Sequence, residues 1–470
     1  MAIIDEKRLD DILSGLPYTL NDKQLKFVRC FIESDGNWSL SGLAGSGKST
    51  IMLILKRYYK DEIVFFASSG VANLSLPEQI GNGTAHSGLS LSMKPANEIN
   101  YRKVGMKCSQ LFASSSLIKI IVIDEIFGLN SDNLDLIHRR IQRFNKRQGK
   151  REKRNIRLLV VGDPAQQVTI CDDEVQEELE RRWGHHLMFR SEVWDRFDFN
   201  YAVLDKVERQ KDPVFKACLD VIRYYQEGRF DKCLRWINKR VNRRYPSDRL
   251  LLAATNKTVD LTNKKVLAMN PNEKFTFYGK LVGDFNMKDV LVKDKFVACK
   301  DLKVMTINND KDGRWVNGSV GTIIDIYPSE GVEVRFNSGE IHLVEFHTWE
   351  NKESFVEPEV TQEDGSVKDE LREKVIGSLE ALPLVQSSAF SIAKSQGLSI
   401  SEPFVIDLED PWLYTSKKLG SYGTNYVYVS LSRAVSSDLI TLARRIEIAH
   451  IKPCFESLEF WHESMEKSVI

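Results

Sequence analysis

The chain has 470 residues, and 66 lysines and arginines balance 66 aspartates and glutamates, so net charge names no nucleic-acid partner, although a basic groove can be offset by acidic surface elsewhere. That length corresponds to roughly three domains at about 150 residues each. No apolar run approaches the ~20 residues that span a bilayer. The opening MAIIDEKRLDDIL lacks the layout of a signal peptide, and the seven cysteines show neither C-x-x-C nor Cys/His ligand spacing. These features argue against a membrane protein, a disulfide framework and a zinc site. They favour a cytoplasmic setting, the host cytoplasm for a viral source.

In chain order, the first informative stretch is Ser41–Thr50, SGLAGSGKST, which contains Gly42-x-x-x-x-Gly47-Lys48-Ser49. Strand-like Asn37–Ser41 precedes it and helix-like Ser49–Lys60 follows. In such a P-loop the backbone N–H groups of Gly45, Ser46, Gly47 and Thr50 turn toward phosphate oxygens at a helix N-terminus. Lys48 reaches the β- and γ-phosphates, and the Ser49 hydroxyl ligates Mg²⁺. Upstream, Gln24 in YTLNDKQ is spaced to read an adenine edge. Glu62–Ala67, Leu117–Ile123 and Ile156–Gly162 are nearly continuous apolar runs, as parallel strands buried on both faces require. Together with the P-loop unit they predict an α/β domain.

Two of these strands end in chemistry. IVIDEIFGL delivers Asp124, placed to hold Mg²⁺, and Glu125, placed to deprotonate the attacking water. LLVVGDPAQ delivers Gln166, a neutral amide able to sense a γ-phosphate. Between them lies a basic run, Arg139–Arg157, which is a solvated helix end or a phosphate-backbone contact. Further on, VERQKD offers Arg209, and Asp212–Gly228 has helical apolar spacing. Strands are expected at Arg249–Ala254, Pro403–Leu408, Tyr426–Ser430 and Leu439–Ala443, with Arg433 following the third. Arg209 and Arg433 are candidates to stabilise charge on a transferring phosphoryl group, supplied from a second domain. Lys303–Phe346 alternates and is broken by Asp-Gly, Asn-Gly, Glu-Gly and Ser-Gly turns, which predicts a small antiparallel β module. The acidic, turn-rich stretch Glu357–Glu373 reads as an exposed linker or excursion.

The ordered set Leu20–Gln24, Gly42–Thr50, Ala67–Leu74, Thr84–Ser87, Asp124–Glu125, Gly162–Gln166, Glu208–Asp212, Thr255–Asn256, Lys394–Gly397 and Tyr426–Ala434 resembles the superfamily-one 5′-to-3′ DNA helicases. The branch is the one that holds the Pif-like, RecD-like and phage Dda-like helicases. The resemblance runs along almost the whole chain. It implies two RecA-like P-loop domains with parallel sheets, residues 1–200 and residues 201–325 with 386–470. It also implies a wedge insertion near 88–106 and a small Src-homology-three-like β-barrel insertion at 326–385. ATP and Mg²⁺ would bind between the two RecA-like domains. Single-stranded DNA would touch Ser69, Thr84 and His86 on one side and Thr255, Asn256, Lys394 and Ser395 on the other. Partners would be single-stranded and forked duplex DNA, the protein acting as a monomer, with replication or single-strand-binding proteins as companions in replication, repair or recombination.

One departure stands out. SIAKSQG places Ala393 where the family often has histidine, so one contact coupling ATP to DNA is missing from the pattern. The same motifs also fit a DNA-stimulated translocase that displaces proteins. An ATP-switched DNA-binding protein is a third reading, opposed by Gln166 and the two arginines.

Overall fold

A computed structural model describes residues 3–68, 72, 73, 76, 80–91, 104–113, 116–147, 155–166, 169, 173–246, 249–285, 287, 292, 294–308, 310, 312–315, 319–361, 367–414 and 425–470. Ser69, most of the expected wedge and residues 148–154 of the basic run lie outside these. The chain divides into two compact units, residues 1–255 with 391–470, and residues 256–390.

The first unit contains two parallel sheets. Strands β1 (Trp38–Gly42), β2 (Ile63–Ala67), β3 (Gly81–Thr84), β4 (Ile120–Asp124), β5 (Arg157–Gly162) and β6 (Asn200–Leu204) run in the order β3-β2-β4-β5-β1-β6. Every residue of β1, β2 and β4 is buried, because helices cover both faces, and this is why β2 and β4 read as continuous rather than alternating. The order sets β4, β5 and β1 side by side at the centre. Their carboxyl ends, Asp124, Gly162 and Gly42, therefore open onto one edge, where open α/β sheets hold ligands. β6 pairs with β1 from Trp38↔Asn200 to Gly42↔Leu204, so the first sheet continues past the boundary expected at residue 200. The second sheet sets β7 (Leu250–Ala253) beside Phe404–Asp407 and Ile440–Leu442, all parallel.

Tyr426–Ser432 is an α-helix, not the strand expected from YVYVS. The Asn425 side chain caps it by accepting from the Tyr428 N–H, and all seven of its residues are buried. Strand propensity at alternating Tyr and Val gives way here to the burial of every side chain. The helix Phe455–Lys467 brings the chain back to the first sheet. Beyond it, the Ser468 hydroxyl accepts from the Val203 N–H of β6, and Arg190 pairs with Glu459 and Glu463.

The second unit is antiparallel. Its five-stranded sheet runs in the order Ile341–Glu345, Gly331–Phe336, Val320–Tyr327, Lys303–Thr306, Leu384–Gln386, around a core that includes Val304, Ile323, Val332, Val334 and Val344. The sheet thus starts well before residue 326. The stretch expected to be an exposed linker or excursion lies within two paired strands, His347–Thr361 and Val367–Ala381. Its acidic content masked strand formers such as Val360, Val367 and Leu371, as well as an intervening Asp-Gly hairpin signal in the sequence.

Candidate nucleotide-hydrolysis site

The loop after β1 turns through Gly45 at φ +75° and Gly47 at φ +89°. A side chain at Gly45 would meet the Arg209 Cβ at 2.6 Å, and one at Gly47 would strike the Gln24 amide. Only glycine suits either position, in conformation or in space. Lys48 then opens the helix Lys48–Tyr59, with its Nζ donating to the carbonyls of Gly42 (2.8 Å) and Leu43 (3.1 Å). Gln24 braces the loop rather than standing free for a base. Its Nε2 donates to the Ser46 carbonyl at 2.9 Å, and its Oε1 accepts from the Asn21 N–H. The Thr50 hydroxyl donates to Tyr18, and Ser49 is exposed.

Glu125 takes the left-handed conformation, φ +50°, unusual for a residue with a side chain. The turn ends β4 and sends the chain into the buried segment Ile126–Gly128. Burial raises the pKa of both Asp124 and Glu125, and for Asp124 the neighbouring Glu125 charge raises it further. Lys48 and Arg433 oppose this at Glu125, and Gln396 donates to Glu125 Oε2 at 3.1 Å. Two adjacent buried carboxylates whose charges resist one another suit a divalent cation.

Gln166 bridges two sides of the site. Its Nε2 donates to Asp163 Oδ2 (3.2 Å), and its Oε1 accepts from Arg433 Nη2 (3.1 Å). Arg433 lies at the end of the Tyr426–Ser432 helix, which follows Phe404–Asp407 and precedes Ile440–Leu442 of the second sheet, with Nε on the Val429 carbonyl and Nη1 on that of Leu398. Arg209 does not arrive with it. Its loop follows β6, its N–H donates to the Gly45 carbonyl at 3.2 Å, and its guanidinium reaches the Ser432 carbonyl at 3.1 Å. The expectation that both arginines come from the second domain is corrected, because β6 belongs to the first sheet. Burial and the nearby Arg433 charge lower the Arg209 pKa to about 10. Two guanidinium groups and Lys48 therefore face a shared cavity of about 450 Å³. Gln24, Gly45–Thr50, Asp124, Glu125, Gln166, Arg209, Gly397 and Arg433 line it. Its cations fit a polyphosphate, and its carboxylates and the Ser49 hydroxyl fit Mg²⁺.

Comparison with known proteins agrees with this arrangement. Residues 19–224 match the family model described as PIF1-like helicase. That match covers less than half of the chain. Among curated relatives, the ATP-dependent DNA helicase RRM3 of Saccharomyces cerevisiae is 28% identical over 326 residues, which cover 66% of this chain and 42% of that protein. The ATP-dependent DNA helicase Pif1 of Bdellovibrio bacteriovorus is 26% identical over 417 residues, 86% of this chain and 84% of that one. The chain thus spans less than half the length of RRM3. Bacteroides Pif1 bound to single-stranded DNA superposes with a TM-score of 0.73 at 21% identity, covering 96% of this chain and 98% of that one. Pif1 of Candida albicans gives 0.71 at 20%, covering 95% and 99%. At such identities the superpositions establish a Pif1-like fold.

The remaining residues expected in this Pif1-like chain to touch DNA lie away from the cavity lining. Thr84 caps the short helix Ala85–Gly88 by accepting from the Ser87 N–H. His86 is half-buried, which lowers its pKa. The Thr255 hydroxyl donates to Glu409 at 2.7 Å, and Asn256 begins the helix Asn256–Met269. Lys394 is exposed. Ser395 is fully buried and donates to the Ile392 carbonyl at 2.7 Å, so its side chain is not available to DNA in this conformation.

Sequence reasoning missed Asp163 as a hub. Its Oδ1 accepts from Arg223 at 2.8 Å and its Oδ2 from the Tyr428 hydroxyl at 3.0 Å, while Tyr428 in turn accepts from the Ala44 N–H of the P-loop. The signal for Asp163 was its place in GDPAQ, three residues before Gln166. Gln396 stood in the KSQG segment. Arg223, buried in the last turn of an amphipathic helix, gave none.

Proposed function

We propose that this protein is an ATP-dependent DNA helicase that translocates 5′-to-3′ on single-stranded DNA and unwinds forked duplexes. The observation that carries this is the Arg433–Gln166 hydrogen bond. It joins the helix that connects two strands of the second parallel sheet to the loop after a central strand of the first, across a cavity lined by the P-loop. A site built from both sheets changes when one sheet moves against the other, as a motor requires. The first RecA-like domain would then run through β6 and the loop that carries Arg209. The second would comprise the remainder of the first unit, with residues 256–390 as the accessory β unit.

In the proposed cycle, Lys48 and the P-loop amides hold the ATP phosphates, with Ser49 and Asp124 holding Mg²⁺. Bound Mg²⁺ supplies charge neutralisation at the β- and γ-phosphates. Glu125 accepts the proton of the attacking water, Gln166 senses the γ-phosphate, and Arg209 and Arg433 stabilise its developing charge. Thr84, His86, Thr255, Asn256 and Lys394 are proposed to touch the DNA backbone, along with Ser69, which lies outside the described residues. Such contacts are blind to sequence. Among the described residues no helix is long and apolar enough to cross a membrane, and action in the cytoplasm as a monomer is proposed.

ATP hydrolysis is expected to be stimulated by single-stranded DNA and abolished by Lys48→Ala and Glu125→Gln with folding intact. Full unwinding by either variant would sink these roles, and unwinding only from a 3′ tail would reverse the polarity. Gln396→Ala removes a hydrogen bond to a charged group, worth about 1.5–3 kcal/mol, so kcat should fall about 10- to 150-fold. That bond lowers the Glu125 pKa, and its loss raises it. The base works ionised, so the acid limb of the kcat profile should move to higher pH. An unshifted limb would place Gln396 outside the chemistry.

A further inference from the structure

The helix Ser131–Arg147 carries a face that the nucleotide site does not use. Its Leu134, Ile137, Ile141 and Phe144 are buried in the core of the first sheet. Arg140 is turned inward and donates to the carbonyls of Leu89 and Ser90. The helix is therefore fixed, and its outer face is presented rigidly.

On that outer face, His138, Arg139, Gln142, Arg143 and Lys146 line a shallow groove of about 490 Å³. His138, Gln142 and Lys146 recur every four residues, as do Arg139 and Arg143, so their heads form two rows along about 12 Å of helix. The His138 ring is held edge-on to Phe197 at 5.0 Å. Asp135 is the acidic neighbour, and both Arg139 (2.5 Å) and Arg196 (3.3 Å) already share it. Arg143 and Lys146 are exposed and form no ion pair with a described residue. Arg143 and Lys146 thus add two cations that no described carboxylate pairs, in a chain that is neutral as a whole. The unpaired cations Arg143 and Lys146 on this face suit an anionic partner.

We infer that this groove, resting on the helicase reading, binds the phosphate backbone of double-stranded DNA. The choice of duplex over single strand follows from the lining. Non-specific single-strand sites pair cations with aromatic rings on which bases stack, whereas the one ring among this groove's lining residues, His138, is already packed edge-on against Phe197. A duplex presents one negative charge per about 1.7 Å of axis and keeps its bases inside, so cations spaced along a straight rigid helix suffice.

The test is binding of the whole protein to a blunt duplex and to a single strand of equal length, by fluorescence anisotropy, between about 50 and 200 mM salt. The variants are Arg143→Ala/Lys146→Ala and the charge-reversed Arg143→Glu/Lys146→Glu, both on exposed positions where folding is little affected. The alanine pair should reduce the duplex salt slope by about two, one per lost phosphate contact. Charge reversal should weaken duplex binding further. Single-strand binding and single-strand-stimulated ATPase should match the wild type. An unchanged duplex slope would overturn the inference. So would an equal loss on single strands, which would make the groove part of the tracking path, or displacement by polyglutamate in preference to duplex, which would make it a site for acidic protein. A wild-type ATPase indifferent to single-stranded DNA would instead overturn the helicase reading, and the groove's role with it.

Discussion

Arg433→Ala is expected to lower kcat for ATP hydrolysis by about 10³- to 10⁵-fold, the range found when such an arginine is withheld from a phosphoryl-transfer site. That corresponds to about 4–7 kcal/mol of transition-state stabilisation. The size follows from position. Arg433 is 2% exposed, so its charge acts in a dry environment where screening is weak, and Gln166 already aims its Nη2 at the phosphate side of the cavity. ATP binding should change far less, because Lys48 and the P-loop amides are untouched. Arg433 also donates to the Val429 and Leu398 carbonyls, so its removal leaves acceptors unsatisfied near the end of a buried helix. Arg433→Lys separates the two effects. It keeps a positive charge and most of the volume but cannot span Gln166, Val429 and Leu398 at once. Both variants should bind ATP and fail to turn it over. A loss of less than ten-fold in each would show that Arg209 alone supplies the charge.

The distribution of these residues explains how much could be read from the chain itself. Strands β2, β4 and β5 were visible because burial on both faces writes itself as an uninterrupted apolar run, and β1 from its place just before the P-loop. The residues that end them, Lys48, Asp124, Glu125 and Gln166, were visible because a strand end delivers a side chain to a fixed edge within a few positions. The Tyr426–Ser432 helix was misread because its alternating Tyr and Val satisfy strand statistics, and nothing local reports that it is buried all round. The long pairing of His347–Thr361 with Val367–Ala381 was hidden by charge. Arg209 was recognised but placed on the wrong side, since the sequence does not show that β6 extends the first sheet. Arg223 was invisible for a deeper reason. Its partner Asp163 lies 60 positions away, and its rings, Tyr428 and Trp461, come from near the end of the chain. No periodicity encodes a contact of that kind.

That hidden pair yields the largest expected effect on stability. Arg223 and Asp163 are 1% and 0% exposed in their side chains, and Arg223 lies 4.0 Å from the Trp461 ring. Burial raises the Asp163 pKa, but the Arg223 and Lys48 charges outweigh it and hold the carboxyl below its usual range. Burial likewise pulls Arg223 down, and Asp163 reverses it. Each ion is thus kept charged by the other. Arg223→Met should destabilise the first unit by about 3–5 kcal/mol, because it strands a buried carboxylate. The double variant Asp163→Leu/Arg223→Met should recover most of that, since apolar replacement of a buried ion pair is often neutral. The denaturant midpoint, followed by Trp461 fluorescence, measures both. ATP turnover should not recover with stability. Without Asp163, the Tyr428 hydroxyl and the Gln166 amide lose their acceptor, and Gln166 is the residue that meets Arg433. A double variant as unstable as the single one would show that the pair is not the source of the loss. One that regained turnover would show that Asp163 does not position Gln166, and that the P-loop and the Tyr426–Ser432 helix are held in register by the Ala44–Tyr428 contact alone.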